Sequence, residues 1–115
     1  MSRVLLVEGD PELRALLEHA LLDAGYEVKT ASNVRDGLFL LNTGETDLLL
    51  TGGRLPDGTG IELADIADAK GTAVLILTGY AFILSELRRT KYQVLLKPMR
   101  PEEVVVAIEE TLRNR

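Results

Sequence analysis

Four apolar stretches of this chain are each followed at once by residues that bring charge, a hydroxyl group or bare backbone. These residues are Glu8, Gly9 and Asp10; Gly52 and Gly53; Thr78 and Gly79; and Lys97 and Pro98. Backbone N–H groups beside an ammonium group such as that of Lys97 could hold an anion. The third stretch is chemically the poorest, because Gly52 and Gly53 supply neither a nucleophile nor a side-chain ligand.

The spacing of apolar residues predicts the elements that position these groups. Continuous apolar runs indicate buried strands, and the alternating segment 27–30 indicates a half-exposed edge strand. The five strands are predicted at residues 4–7, 27–30, 48–50, 73–77 and 94–96. Helical spacing predicts a helix after each strand, the fourth at 82–89 and the fifth at 101–113. Asp10 before Pro11, and Asn33, are typical of helix starts, and Gly25 is typical of a helix end.

Five strand–helix units in a chain of this length predict an α/β fold. We expect a flavodoxin-like, doubly wound parallel sheet, with helices on both faces and strand order 2-1-3-4-5. In such sheets the functional crevice lies at the carboxyl ends of the central strands. The chemistry-bearing residues should therefore meet in one crevice.

Composition excludes several classes of protein. The chain has 115 residues, 46% of them hydrophobic, which suits one domain over residues 1–115. With no cysteine and one histidine, thiolate and multi-histidine metal sites are excluded within one chain. A net charge of −5 argues against nucleic-acid binding as the primary role. The first apolar run is too short for a signal peptide, and no segment approaches the roughly 20 apolar residues of a membrane span. We therefore expect a cytoplasmic location and no membrane association.

Four motifs at the predicted strand ends carry a family resemblance. They are Val-Glu-x-Asp-Pro-x-Leu-Arg from Val7, Leu-Thr-x-x-x-Leu-Pro-x-Gly from Leu50, Ile-Leu-Thr-Gly from Ile76 and Leu-Lys-Pro from Leu96. Each is weak alone, but together they resemble the CheY-like receiver domains of response regulators over essentially the whole chain. The resemblance implies a part in two-component signal transduction, in which a kinase histidine passes a phosphoryl group to an aspartate with help from Mg²⁺.

The resemblance assigns site roles that this chain keeps only in part. Thr78 matches the hydroxyl and Lys97 the lysine that bind phosphoryl oxygens, and Glu8 matches the first acidic position. Gly9 stands where the family has its main metal-binding aspartate, and Gly52 stands where it has the phosphate acceptor. The resulting degenerate magnesium site consists of Glu8, Gly9, Asp10, Gly52 and the backbone of Arg54. We expect no aspartyl phosphorylation, weak or absent Mg²⁺ binding and no other cofactor.

The lost carboxylates also predict an effect on stability. Two carboxylates about 4 Å apart repel by roughly 4 kcal/mol at an effective dielectric constant near 20, before relaxation. We therefore expect the metal-free chain to be more stable than a form with aspartates at positions 9 and 52, and to gain almost nothing from Mg²⁺.

Structural interpretations compete with the functional ones. Thr78 could simply turn the chain, and Lys97 could be solvated, although in this frame we expect Lys97 to point into the crevice and pair with Glu8. The resemblance also implies a cis peptide bond between Lys97 and Pro98. Asp10 is better explained as a helix cap than as a metal ligand.

Two further residues have a bland interpretation. Asp57 lies in a Pro-Asp-Gly turn and is expected to form local hydrogen bonds rather than to replace the acceptor. His19 could mimic a phosphotransfer histidine, but an ordinary surface histidine is the better explanation.

The predicted output face departs from the family pattern as well. Val94 takes the place of the aromatic residue that changes rotamer on phosphorylation, and Tyr80 or Tyr92 could partly fill the space. The fourth helix is expected to be short or irregular. Oppositely charged patches could form a homodimer through helix 4, strand 5 and helix 5, although ordinary solvated faces explain them equally well. The patches are Arg88, Arg89 and Lys91 on one side and Glu102, Glu103, Glu109 and Glu110 on the other.

Three functions remain open. The first is a degenerate receiver, not an enzyme, that acts through contact with a sensor histidine kinase or another signalling protein. The second is an ordinary phosphate-accepting receiver whose aspartates at positions 9 and 52 were replaced, naturally or by engineering. The third is an anion or small-molecule binder that uses the vacated crevice. Whether the chain stands alone or comes from a longer protein is also open.

Overall fold

The computed structural model describes residues 2–79 and 91–115. Its elements in chain order are β1 (Arg3–Val7), α1 (Pro11–Asp23), β2 (Glu27–Ala31), α2 (Val34–Thr43), β3 (Leu48–Gly52), β4 (Arg54–Leu55), β5 (Gly58–Thr59), α3 (Gly60–Ala69), β6 (Ala73–Thr78), β7 (Gln93–Leu96) and α4 (Pro101–Arg113). The predicted fourth helix at 82–89, with Tyr80, Arg88 and Arg89, lies outside the described residues. The helix predicted as the fifth is therefore α4.

Five parallel strands form one sheet in the order β2-β1-β3-β6-β7. This order confirms the predicted one, because β6 and β7 are the fourth and fifth strands of the sheet. The two-residue strands β4 and β5 pair antiparallel in a separate hairpin between β3 and α3, which sequence spacing did not predict. Among the described residues, β2 and β7 are the edge strands, as the alternating pattern of β2 predicted.

Side chains alternate across the sheet and build a core on each face. One core joins the sheet to α1 and α4 and includes Leu6, Leu50 and Ile108. The other joins it to α2 and α3 and includes Leu49 and Leu63. Helices therefore cover both faces, as uniformly apolar strands require.

Helix ends follow the sequence signals. Asp10 accepts hydrogen bonds from the first turn of α1, and Asn33 accepts one from the backbone N–H of Asp36 at 2.8 Å. Beyond α1, Gly25 has a φ of +94°, a conformation that favours glycine. At the start of α4, the Glu103 side chain accepts a hydrogen bond from the backbone N–H of Arg100 at 2.9 Å.

The register brings the strand ends to one level. Val7 of β1 pairs with Thr51 of β3, Gly52 with Leu77 of β6, and Thr78 with Leu96 of β7. The residues that follow these strands therefore meet at the carboxyl edge of the sheet. No helix in the described parts of the chain is long and apolar enough to cross a bilayer.

Candidate functional site

Glu8 is the buried carboxylate of the crevice. It follows β1 and is 4% exposed. Its Oε1 accepts a hydrogen bond from Nζ of Lys97 at 3.2 Å, and its Oε2 accepts one from the backbone N–H of Asp10 at 3.0 Å. Both oxygens thus have donors, as a buried charge requires. The predicted pairing of Lys97 with Glu8 is confirmed.

Lys97 approaches Glu8 from the end of β7, the last strand of the sheet. Its backbone N–H donates to the carbonyl oxygen of Thr78 at 2.8 Å, which extends the β6–β7 pairing by one residue. The bond between Lys97 and Pro98 is cis, as the resemblance implied. Thr78 itself is buried at the end of β6, so the strand ends bring the hydroxyl residue and the lysine to neighbouring positions.

Gly52 ends β3 beside Glu8. A Cβ placed on it in ideal geometry would lie 3.3 Å from Oε1 of Glu8 and 3.6 Å from Cδ2 of Leu55. The Glu8 contact is tight, but it involves the end of a side chain that can shift. The glycine thus leaves the space into which the Glu8 carboxylate extends.

Gly9 has ordinary room around it. A Cβ at this position would have as its nearest neighbour Cδ of Pro56, at 3.4 Å. Packing therefore does not require a glycine at position 9. Gly9 lacks a side chain that could bind a metal ion, and it allows no close approach of another backbone segment.

Asp10 serves the helix instead of the crevice. Its Oδ1 accepts hydrogen bonds from the backbone N–H groups of Glu12 at 2.9 Å and Leu13 at 3.3 Å. This arrangement confirms the predicted N-cap.

The donor set does not fit the magnesium ion that the resemblance implies. Mg²⁺ demands near-ideal octahedral coordination by oxygen ligands. Here the Glu8 carboxylate is taken up by Lys97 and a backbone N–H, and the Asp10 carboxylate caps α1. Within residues 2–79 and 91–115, no group of three or more acidic or histidine side chains could hold a metal ion.

Two residues near the crevice were missed by sequence reasoning. Arg14, at the end of the first turn of α1, donates from Nη1 to the carbonyl oxygen of Glu8 at 2.7 Å. Gly60 starts α3 so close to β3 that a Cβ on it would lie 2.0 Å from the carbonyl oxygen of Gly52. Arg14 is the last residue of the first motif, so the motif could have drawn attention to it. The contacts of Arg14 and Gly60 do not follow from the spacing of neighbouring residues.

Asp57 bonds to more than its own turn. Its carboxylate accepts hydrogen bonds from the backbone N–H groups of Val34 at 2.7 Å and Arg35 at 3.0 Å, at the start of α2. These bonds hold the pKa of Asp57 below its usual value. The predicted local hydrogen bonding is present, since the backbone N–H of Asp57 also bonds this carboxylate. The prediction missed the two bonds to α2, which form because the loop after β4 lies against the amino end of α2.

His19 is an ordinary surface histidine, as expected. It lies on the exposed side of α1, with Nε2 3.4 Å from Oδ2 of Asp23 one turn later. This contact is typical of a helix surface and has no link to the crevice.

The comparison with known families decides the class of this crevice. The sequence model of the family described as response regulator receiver domain matches residues 4–109. The chain belongs to the receiver domain family of response regulators. It is thus a signalling module of the two-component type.

Curated relatives include both short and long proteins. This receiver domain is 33% identical to the transcriptional regulatory protein GlrR of Escherichia coli (strain K12) over 118 residues, which cover 98% of this chain and 27% of that protein. It is 34% identical to the response regulator receiver protein CpdR of Brucella abortus (strain 2308) over 118 residues, which cover 97% of this chain and 98% of that protein. The chain thus spans about a quarter of the length of GlrR.

Solved structures agree on the fold. The chemotaxis response regulator CheY4 of Vibrio cholerae superposes with a TM-score of 0.85 at 27% identity, covering 96% of this chain and 98% of that one. The response regulator TrrA of Thermotoga maritima, in complex with Mg²⁺ and BeF, superposes with a TM-score of 0.84 at 27% identity, covering 96% of this chain and 99% of that one.

The last strand of this receiver domain is tied to α3. Tyr92, just before β7, packs against the small cluster of Ala64 and Ile76, which Val94 also contacts. Its hydroxyl donates to Oδ1 of Asp65. Burial and this hydrogen bond raise the pKa of Tyr92 well above its usual range. Tyr92 thus packs against the same cluster as Val94, and its filling of the space of the missing aromatic residue stays a prediction.

Lys91 also turns toward α3. Its Nζ lies 2.8 Å from Oδ2 of Asp68, and its ammonium group is 5.9 Å from the centroid of the Tyr92 ring. The positive patch predicted from Arg88, Arg89 and Lys91 therefore has the charge of Lys91 compensated within the domain. The dimer suggested by that patch stays a prediction.

Proposed function

We propose that this receiver domain signals through protein contact and accepts no phosphoryl group on an aspartate. The observation that carries the proposal is the position of Gly52. It ends the central strand β3 at the crevice, where Glu8 and Leu55 are the side chains nearest to the place of a Cβ. A residue without a side chain at this point has no group to form an acyl phosphate.

The remaining site residues support the same proposal. Thr78 and Lys97 are the positions that bind phosphoryl oxygens in the family, and both stand at the crevice. Lys97 already has a carboxylate partner in Glu8. The metal positions lack a ligand set, because Gly9 and Gly52 carry no side chain and Asp10 caps α1. We infer a binding module, not an enzyme, whose partner is a sensor histidine kinase or another signalling protein.

The second function, that of an inactive form of a phosphate-accepting receiver, is favoured by the room for side chains at positions 9 and 52. A Cβ fits at Gly9 without a clash, and at Gly52 it would need only a small shift of the Glu8 side chain. The crevice could therefore still accommodate aspartates at both positions. On this hypothesis a parent protein accepts phosphate at position 52, and the present chain is its inactive form.

Anion binding in the vacated crevice has weaker support. The cation that would attract the anion, Lys97, is bonded to Glu8 at 3.2 Å. An incoming anion would have to compete with this buried carboxylate.

The proposal can be tested by binding of Mg²⁺ and beryllofluoride, the groups present in the TrrA complex. Thermal unfolding is measured with and without both reagents, for the chain as given and for Gly9→Asp/Gly52→Asp. Gly9→Asn/Gly52→Asn serves as a control of the same shape without the charges. We expect the chain and the asparagine control to keep their melting temperatures. Binding to the aspartate variant alone should raise its melting temperature by several degrees.

A rise of several degrees for the chain as given would contradict the proposal. A rise for the aspartate variant would support the second function as well, because it would show that the frame of the site is still competent.

A further inference from the structure

The same oxygen of Glu8 contacts both Gly52 and Lys97. Oε1 lies 3.2 Å from Nζ of Lys97, and it is also the atom that a Cβ at Gly52 would meet at 3.3 Å. The carboxylate of Glu8 therefore lies beside the end of β3, where a side chain from position 52 would begin.

Strand register explains how Glu8 reaches this place. Val7 pairs with Thr51, so the next residues of β1 and β3, Glu8 and Gly52, lie side by side. Glutamate has one methylene more than aspartate, and glycine leaves the neighbouring volume open. A glutamate from β1 beside a glycine on β3 can thus supply a carboxylate that β3 itself lacks.

The surroundings hold this carboxylate in place. The side chain of Glu8 is 6% exposed and that of Lys97 is 33% exposed. The second oxygen of Glu8 accepts the backbone N–H of Asp10, while Arg14 bonds the carbonyl oxygen of Glu8. The carboxylate and the backbone of Glu8 therefore both have hydrogen-bond partners, and these bonds favour the observed position of the carboxylate in the crevice.

We propose that Glu8 is the internal counter-ion of Lys97 and keeps anions out of the crevice. Without Glu8, Lys97 would be a partly buried cation at the carboxyl edge of the sheet, near the backbone N–H of Asp10 that now bonds Glu8. A cation beside a backbone N–H is a suitable environment for an anion. Glu8 acts through Lys97 and is thus a positioning residue. This inference concerns the same crevice as the proposed function. The two proposals share one premise, which is that position 52 carries no carboxylate.

Binding of inorganic phosphate tests this role. Calorimetric titration, at constant ionic strength set with sodium chloride, compares the chain with Glu8→Gln, Lys97→Gln and Glu8→Gln/Lys97→Gln. The control is Asp68→Asn, which removes the partner of Lys91 from an exposed ion pair. Circular dichroism establishes that each variant is folded.

We expect phosphate to bind Glu8→Gln at least tenfold more tightly than the unaltered chain. The gain should disappear in Glu8→Gln/Lys97→Gln and be absent from Asp68→Asn. Equal phosphate affinity of folded Glu8→Gln and the unaltered chain would overturn the inference.

A second measurement keeps the inference falsifiable if Glu8→Gln does not fold. Saturable phosphate binding by the unaltered chain that is lost in Lys97→Gln would show that Glu8 does not exclude anions. Neither outcome bears on covalent phosphorylation, so failure here is distinguishable from failure of the proposed function.

Discussion

Among the described residues, Glu8 is the one buried acidic side chain at the crevice. Its Oε1 accepts a hydrogen bond from Nζ of Lys97, whereas the carboxylate of Asp10 caps α1. Aspartates at positions 9 and 52 would add two negative charges beside this ion pair and repel Glu8. We therefore expect the crevice to be stable without a divalent cation, in agreement with the proposed function.

Asp57 provides a prediction about pH. Its carboxylate accepts the N–H groups of Val34 and Arg35, and its pKa lies below the ordinary value of 3.8. A lowered pKa means that the folded state favours the charged form. Its stabilising effect is therefore fully present above pH 3.8 and is lost as the pH falls through the lower, folded-state pKa.

Asp57→Asn should therefore be less stable than the unaltered chain at neutral pH, and the difference should shrink in acid below pH 3.8. Urea unfolding over a series of pH values measures the difference. Glu110→Gln, the same kind of change at an exposed position of α4, is the matched control and should leave the stability at neutral pH unchanged. Parallel profiles for Asp57→Asn and the unaltered chain would show that the α2 contact contributes no pH-dependent stability.

At the scale of elements, the hairpin of β4 and β5 joins the crevice to two helices. It leaves β3 at Gly53, contacts α2 through Asp57, and leads into α3 at Gly60. The backbone N–H of Gly60 donates to the carbonyl oxygen of Gly53 at 2.8 Å. The start of α3 is thus packed directly against the end of β3.

Gly60→Ala tests this close approach. The added Cβ would lie 2.0 Å from the carbonyl oxygen of Gly52 and 2.8 Å from Oγ1 of Thr51, so the backbone itself would have to move. Overpacking of this kind costs typically about 1–3 kcal/mol. Gly9→Ala is the matched control, since its nearest contact would be 3.4 Å. Urea unfolding should show a clear loss for Gly60→Ala alone, and equal stability of the two variants would contradict the packing account.

The elements that could be predicted are those with a strong local pattern. The continuous runs of β1, β3 and β6, the alternation in β2 and the helical spacing in α4 are properties of neighbouring residues, and the structure confirms each of them. The hairpin of β4 and β5 escaped prediction because strands of two residues leave no periodic pattern. The partners of Asp57 and Tyr92 also escaped, because they lie 22 or more residues away in sequence.

For the whole molecule, topology explains why the site could be located from sequence. Parallel strands with aligned ends bring residues 8, 52, 78 and 97 to one edge, whatever their identity. The pairing of Glu8 with Lys97 was predicted on that basis. The approach of Oε1 to Gly52 was not predicted, because it depends on a side-chain conformation and on an empty neighbouring volume.

The hydrophobic cores of the fold do not depend on the side chains at positions 9 and 52. The two cores lie on the faces of the sheet, and neither includes Gly9 or Gly52. Both cores are therefore complete without an acceptor side chain at position 52. This is the physical basis on which we propose a folded domain that accepts no phosphoryl group.

Intact-mass spectrometry after incubation with a small-molecule phosphodonor and Mg²⁺ tests that function most directly. The chain as given is compared with Gly9→Asp/Gly52→Asp and with Gly9→Asn/Gly52→Asn, which matches the aspartate variant in shape. The account predicts no phosphoryl adduct on the chain as given or on the asparagine variant, and a single adduct on the aspartate variant if the frame is still competent. A phosphoryl adduct on the chain as given would contradict the account.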